Sequence, residues 1–377
     1  MSQARRIVGV EAVPVVVSGA EDFRISEGRT RVHTSVIVRL VTDENGLEGA
    51  AEIVSAPPGK PEEIGEEIVA AVERYVAPAL VGLAVHERTA AMTRVGQALK
   101  GRPWTKAGVN VALHDLHARA LGVPVAELLG GRLTEEVPVI GPVIGMAEPD
   151  AMAKRAAEER AQGFHAVKIK VGETVEVDVD RVAAVRAALG GGVRLRVDAN
   201  DHYAPADAVR LIRAIERYDV EHVEQPLPRH DLLGMAEVRG KVGVPLMTDD
   251  AVATPEEAAT VIRLKAADRI KVKVTKHGLD GARLIIGMME AAGIGCVLGH
   301  VFEMGLAAVA EGQLAACARN LIPPHEIGSL EPMGCRADVI AWNLRPRPGF
   351  LRLPDGPGLG VRPDWPAIKA GRLSEAA

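Results

Sequence analysis

Aromatic side chains are scarce: three tryptophans, three tyrosines and four phenylalanines among 377 residues. So few argue against a stacking platform for nucleobases or sugars. They also imply a core built mainly from Ala, Val, Leu and Ile. Cysteine is scarcer still. Cys296, Cys317 and Cys335 are odd in number, widely spaced and form no CxxC pair. Neither a disulfide framework nor a zinc ribbon is expected, and a reducing compartment fits. A basic excess is missing: 45 Lys and Arg stand against 50 Asp and Glu, a net charge of −5. That balance argues against a dedicated nucleic-acid binder, while leaving room for a local basic pocket. No apolar run reaches the ~18 residues of a membrane span; the most apolar stretch, residues 284–299, contains Glu290. Glu11 interrupts the early apolar run that would otherwise resemble a secretory leader. The expectation is a soluble, cytoplasmic protein with no nucleic-acid or membrane partner. No GxGxxG opens a helix, so a dinucleotide-binding doubly wound sheet is disfavoured.

What is present is an ordinary globular composition, 47% hydrophobic and 25% charged. The length suits two domains, or one large barrel with an appendage. The first third reads as strands and then helices. Residues 10–17 and 34–41 are rich in β-branched side chains. Asp43-Glu44-Asn45-Gly46 is a turn signal that joins residues 34–41 to 47–53 as a hairpin. After the break at Pro57-Pro58-Gly59-Lys60-Pro61, residues 62–76 read as a helix stopped by Pro78, and residues 108–121 as another. Strands followed by helices indicate an α+β unit.

From residue 137 onward the pattern becomes alternating. Short β-branched runs at 137–140, 166–171, 193–197, 220–223, 244–247, 269–274 and 296–298 are mostly separated by Ala-, Glu- and Arg-rich helical stretches. An eighth run is weak, at Leu321-Ile322. Such alternation predicts a parallel sheet, and its length suits a (β/α)8-type barrel.

The strand ends carry the chemistry. Lys168 and Lys170 close one run; Asp198, Glu224, Asp249, Lys273 and His300 close later ones and are spaced from one another by 24–27 residues, about one strand–loop–helix unit each. A closed barrel gathers such residues at the carboxyl ends of its strands, where barrel enzymes hold their sites. Each has a plainer reading. The lysines also suit a solvated edge strand, Asp198 a helix cap, Asp249-Asp250 a turn. As a set, at this spacing, they are hard to explain that way. Three converging carboxylates repel one another unless a cation neutralises them. Oxygen ligands without a His or Cys cluster favour Mg²⁺, with Mn²⁺ as a substitute. Lysines on both sides of that cation suggest proton transfer at carbon.

These motifs resemble the enolase superfamily, in its muconate-lactonizing branch within the mandelate racemase/muconate lactonizing enzyme family. Lys168-Ile169-Lys170 is similar to the second-strand Lys-x-Lys motif. Val197-Asp198-Ala199-Asn200, Glu224-Gln225-Pro226 and Thr248-Asp249-Asp250 are similar to the metal-ligand motifs. Lys273-Val274-Thr275-Lys276-His277-Gly278 is similar to the sixth-strand lysine motif, and Pro354-Asp355-Gly356-Pro357-Gly358-Leu359-Gly360 to the closing segment.

The resemblance implies an α+β capping domain (residues 1–130), a (β/α)7β TIM-type barrel (131–345) and a segment returning to the cap (346–377). It implies Mg²⁺ on Asp198, Glu224 and Asp249. Lys170 and Lys273 would face each other across a small anionic carboxylate and move its α proton through an enediolate. Lys168, Asn200, His300, Glu303 and Arg24 are the expected substrate contacts. Residues 18–31 and 55–60 would form a lid, made locally basic by Arg24, Arg29 and Arg31. A homo-oligomer is expected. Muconate cycloisomerisation is the leading reaction; racemisation or epimerisation of an amino-acid derivative and syn-dehydration use the same parts. A non-catalytic metal-binding barrel is the remaining alternative. Where the third ligand motif usually continues Asp-Glu-Ser, this chain has Asp249-Asp250-Ala251. His300 lacks the sixth-strand aspartate with which a His–Asp dyad would be built, since Lys273 stands there.

Overall fold

The structure is a computed structural model that describes residues 5–26, 28–56, 62–328, 337–340, 344, 347–370 and 374–375. Three antiparallel strands open the chain: β1 (Ile7–Ile25), β2 (Gly28–Thr42) and β3 (Glu48–Val54), in the order β1-β2-β3. The turn at residues 43–47 joins β2 to β3 as its Asn-Gly signal predicts. β1 and β2 are much longer than their β-branched cores, and their paired ends reach Ile25 and Gly28. Residues 18–31, expected as a lid, are therefore the tip of a long hairpin rather than a loop. Residues 57–60 of the second expected lid segment, like Cys335, lie outside the described residues.

Helices α1 (Gly65–Ala71) and α2 (Ala77–Leu80) flank a π-helical turn, Val72–Val76. Pro78 does not stop this helix. It falls in the first turn of α2, where its missing N–H is not needed. Then come α3 (Arg88–Ala98), α4 (Pro103–Leu121) and α5 (Val125–Leu128). α4 lies directly on β3, and glycine makes this possible. A Cβ at Gly49 would stand 2.6 Å from the Ala112 carbonyl oxygen, and one at Gly108 would stand 2.2 Å from Ile53 Cγ1.

The second part begins with β4 (Glu136–Pro138) and continues as an alternation: α6 (Pro149–Gln162), β5 (Ala166–Lys170), α7 (Val175–Leu189), β6 (Arg194–Asp198), α8 (Pro205–Ile215), β7 (Val220–Glu224), α9 (Leu232–Arg239), β8 (Leu246–Thr248), α10 (Pro255–Leu264), β9 (Arg269–Val272), α11 (Val274–Ala292), β10 (Gly295–Leu298) and α12 (Gly305–Cys317). Strands β5 to β10 form one parallel sheet in chain order. The first predicted run departs from the expectation. β4 pairs antiparallel with the strand Phe350–Arg352 and is not a member of that sheet. The ring closes instead through single parallel bridges, Ile144 to Ile169, Val139 to His325, and Leu321 to Cys296. The weak eighth run at Leu321 thus has its place at the seam.

The two parts are joined by polar contacts at buried positions. Asn110 on α4 accepts the Leu279 N–H at 2.9 Å, where α11 is interrupted at Gly278. Asp115, fully buried on the same helix, accepts from Ala50 N (2.8 Å), Leu359 N (2.7 Å) and Arg119 Nε (3.0 Å). It thereby ties β3, α4 and the C-terminal segment at one carboxylate. Trp365 Nε1 adds a bond to Glu48 Oε1 at 2.9 Å. Asp115→Ala strands two buried N–H groups and a guanidinium. It is expected to cost about 3 kcal/mol or more, measured as a lower urea midpoint. Asp355→Ala, at an exposed ion pair with Arg132, is expected to shift it by no more than about 0.5 kcal/mol.

Candidate active site

Strand alternation delivers the polar residues to one place. Lys168 and Lys170 on β5, Arg196 and Asp198 on β6, and His222 and Glu224 on β7 share the interior face. In register, Lys170 pairs with Asp198, and Asp198 with Glu224. Asp249 follows the end of β8 and Lys273 the end of β9. Barrel interiors are usually filled by Val, Ile and Leu. This one is filled by charge, so each charge needs a partner.

Those partners are close. Lys170 Nζ donates to Asp198 Oδ2 at 2.7 Å and Asn200 Oδ1 at 2.9 Å. Lys273 Nζ donates to Asp249 Oδ2 at 2.6 Å. Lys276 holds the same residue, at Asp249 O (2.8 Å) and Oδ1 (3.2 Å). Lys168 Nζ donates to Glu224 Oε2 (2.8 Å) and Glu326 Oε2 (2.9 Å), and lies 2.9 Å from Asp198 Oδ2. Lys271 is 2.9 Å from Glu224 Oε2 and also bonds Glu326. Lys170 and Lys273 therefore stand over different carboxylates, on strand ends separated by β6, β7 and β8.

The electrostatics follow from burial and these pairs. Burial works against the charge on Asp198. Lys168 and Lys170 outweigh it and hold the carboxyl below its usual range. Asp249 is held well below its usual range in the same way, burial being outweighed chiefly by Lys273 and Lys276. Burial opposes the charge on Lys168 and Lys273 too, but Asp198, Glu224 and Glu326 raise the first and Asp249 the second. Glu224 is the exception. Burial and neighbouring Asp198 push it up to about 7. Its Oε1 is buried without any hydrogen-bond donor. A carboxylate oxygen left unpaired inside a protein is costly. In a set of oxygen donors, this one fits a hard divalent cation. Asp198, Glu224 and Asp249 would hold it.

Among the described residues, the trio whose ligand atoms all lie within 4.8 Å of one another is His222, Glu224 and Glu326. Two features count against that trio. Glu326 already meets Lys168, Lys271 and Arg196. Arg269 donates to His222 Nδ1 at 2.7 Å, which places the proton of the neutral ring on Nε2 and leaves no lone pair for a metal. The demand for positive charge lies at the free oxygen of Glu224, common to both sets.

Above the carboxylates is a cavity of about 800 Å³. Lys168, Lys170, Asp198, Asn200, Asp249, Lys273 and His300 all line it. Asp198 caps no helix, since α8 starts beyond Ala204; Thr254, not the Asp249-Asp250 pair, caps α10. His300 accepts the Phe302 N–H at Nδ1 (3.2 Å). Two expected contacts are placed elsewhere. Arg24 pairs with Glu173 at 3.2 Å and helps fasten the hairpin tip. Glu303 is wholly buried, accepting from Val301 N (2.7 Å) and Thr275 Oγ1 (3.2 Å).

Several participants escaped the sequence reading. Lys271 repeats on β9 the two-residue spacing of Lys168 and Lys170, a usable signal. Glu326 follows the weak eighth run and gave none. Gln225 accepts the Asp249 N–H at 2.8 Å and so orients that ligand loop. Asn200, Asp201, Gln225 and Phe302 have positive φ at the barrel mouth, a strained geometry that clusters at functional sites. Phe23, Trp104 and Phe302, three of the few aromatics, line the cavity.

Residues 7–130 match the Mandelate racemase / muconate lactonizing enzyme, N-terminal domain, and residues 151–367 match the Enolase C-terminal domain-like family. The chain is 34% identical to Muconate cycloisomerase 1 of Rhodococcus opacus over 340 residues, covering 89% of this chain and 90% of that one. It is 32% identical to N-succinyl-L-Arg/Lys racemase of Bacillus cereus over 341 residues, again 90% of each. The crystal structure of that racemase superposes with a TM-score of 0.90, over 97% of this chain and 98% of that one. A dipeptide epimerase from Cytophaga hutchinsonii, complexed with Mg and D-Ala-L-Val, superposes with a TM-score of 0.91 at 26% identity, over 98% of both chains. A capping domain over a parallel barrel sheet, with paired lysines around buried carboxylates, defines an isomerase of the enolase superfamily. The chain belongs to its mandelate racemase/muconate lactonizing enzyme family, and its chemistry is metal-dependent removal of a proton alpha to a carboxylate. Among the described residues no helix is long and apolar enough to cross a membrane.

Removing Glu326 would leave Lys168, Lys271 and Arg196 without their shared carboxylate. Glu326→Ala is expected to cost about 3–5 kcal/mol, read as a lower unfolding midpoint. An unchanged midpoint would contradict the neutralising role of Glu326.

Proposed function

We propose that the protein racemises or epimerises an N-acylated amino acid by 1,1-proton transfer. One observation supports this: Lys170 and Lys273 are hydrogen-bonded to different carboxylates, Asp198 and Asp249, on strand ends that three strands separate, an arrangement that suits two opposed acid–base groups. One lysine, as the free amine, takes the α proton from one face of the carbon. The other, as ammonium, delivers a proton to the opposite face, and configuration inverts. Asn200 and Asp198 orient Lys170; Asp249 orients Lys273. A divalent cation on Asp198, Glu224 and Asp249 would supply electrostatic stabilisation of the negative charge that develops on the substrate carboxylate. Lys276 and Gln225 keep Asp249 in place for it. The cavity has the size usual for small-molecule sites, and the likeness to a racemase and a dipeptide epimerase supports this substrate class.

Cycloisomerisation is the second reading, supported by the 34% identity to a muconate cycloisomerase. It requires proton exchange on only one face of the carbon. Incubation in D₂O separates the two. A racemase exchanges the α proton of both enantiomers of an N-acyl amino acid, whereas a cycloisomerase bleaches muconate. Lys170→Ala and Lys273→Ala are each expected to lower racemisation by at least about 10²-fold, each sparing exchange of one enantiomer. Full racemisation by either variant would remove that lysine from the mechanism. Glu224→Gln is expected to weaken Mg²⁺ binding by at least about tenfold in calorimetric titration; unchanged affinity would reject the ligand assignment.

A further inference from the structure

In the sheet order, β7 stands midway between β5, which carries Lys170, and β9, which Lys273 follows. The segment after β7 reaches to both sides at two depths. Gln225 is the inner link. Its main-chain carbonyl accepts the Asp201 N–H at 2.9 Å, in the loop after β6, and its side-chain Oε1 accepts the Asp249 N–H at 2.8 Å, after β8. Arg229 is the outer link. Its Nε donates to Asp201 Oδ2 at 2.8 Å and its Nη2 to Asp250 Oδ2 at 3.3 Å. Its Nη1 donates to Glu62 of the cap. One guanidinium thus joins three segments distant in sequence: the loops after β6 and β8, and the stretch before α1.

Each of the two barrel loops holds a lysine. Asn200, next to Asp201, accepts from Lys170 Nζ at 2.9 Å. Asp249, next to Asp250, accepts from Lys273 Nζ at 2.6 Å. Lys276 braces the second loop, 3.2 Å from Asp249 Oδ1 and 3.8 Å from Asp250 Oδ1. The first loop depends more on outside support. Asn200 and Asp201 have positive φ, 42° and 64°, and no glycine stands in residues 199–204. Such backbone persists only where the surrounding structure fixes it. The bonds from Arg229 and to Gln225 fix Asp201. Burial opposes the charge of Arg229, but Asp250, Glu62 and Asp201 outweigh it and raise the group above its usual range. The guanidinium therefore stays charged, and its planar fork serves several acids at once, which an ammonium does poorly.

We infer that Arg229 is a positioning residue for both lysines. By gripping Asp201 on one side and Asp250 on the other, it keeps the Asn200 oxygen that meets Lys170 and the Asp249 carboxylate that meets Lys273 in one fixed relation. The inference rests on the racemase reading above, in which two amines address a single carbon. A misplacement of about 1 Å can then cost about 10²-fold in rate. Its two arms are separable: Asp201 serves the Lys170 side and Asp250 the Lys273 side.

The test follows α-proton exchange in D₂O from each enantiomer of whichever N-acetyl or N-succinyl amino acid the wild-type protein exchanges fastest. Lys170→Ala and Lys273→Ala show which enantiomer depends on which amine. Arg229→Gln is expected to lower the initial exchange rate of both enantiomers by at least about tenfold, in kcat with KM little changed. Asp201→Asn keeps a residue that tolerates positive φ and removes the charge that Arg229 grips. It is expected to slow chiefly the enantiomer that depends on Lys170, and Asp250→Ala chiefly the one that depends on Lys273. A general loosening of the barrel mouth would slow both enantiomers alike. Wild-type rates in Arg229→Gln overturn the inference while the racemase reading stands, and so does equal slowing of both enantiomers by Asp201→Asn and by Asp250→Ala. If Arg229→Gln does not fold, those two variants decide the matter in the same way. Exchange of fewer than both enantiomers by the wild-type protein overturns the racemase reading and the inference with it.

Discussion

Mutual neutralisation of buried charge holds the centre of this molecule together. Asp198, Glu224, Asp249 and Glu326 face Lys168, Lys170, Arg196, Lys271 and Lys273 in a space that most barrels fill with branched aliphatics. None of these groups is tolerable there alone, because an unpaired ion in a low-dielectric interior is penalised by several kcal/mol. The strands must therefore stand in a register that brings each ammonium to an oxygen. The same requirement prepares the site for chemistry. Among Asp198, Glu224, Asp249 and Glu326, Glu224 alone has a buried oxygen without a donor within the described residues, and that is a point where a divalent ion fits.

The charged floor is completed by a cap that is attached at several depths. Asn110 and Asp115 secure α4 from behind. At the mouth, Arg24 meets Glu173, and the Arg24 carbonyl accepts the Met146 N–H at 2.8 Å. Between them, Glu52 joins β3 to the first turn of α12. The cap strands that wall the cavity thus have their position set by the barrel itself, so the two walls of the pocket share a common frame.

The placement of the charged residues was more legible than the architecture that supports it. The gathering of Lys170, Asp198, Glu224, Asp249 and Lys273 at one barrel end could be read because each ends an apolar run at a regular interval, and strand periodicity is a strong local signal. The cap hairpin was visible at its Asn-Gly turn. Its length was not, since residues 18–31 have no apolar alternation and owe their pairing to contacts with the barrel mouth. Residues 137–140 look like any other β-branched run; only tertiary pairing with Phe350–Arg352 shows that they stand outside the sheet. Glu326 and Lys276 act through partners far away in sequence, which no local pattern encodes. Arg24 and Glu303, expected as substrate contacts, each engage a neighbouring protein group, Arg24 with Glu173 and Glu303 with Thr275 and the Val301 N–H.

At the hairpin tip, Ser26 Oγ donates to the carbonyls of Ala199 (3.2 Å) and Asn200 (3.0 Å). Asn200 is the residue whose side chain steadies Lys170. The same backbone that anchors this clasp also carries the side chain that bonds Lys170. The hairpin tip and the partner of Lys170 are therefore joined by one short hydrogen-bonded path, so a displacement of the one is transmitted to the other.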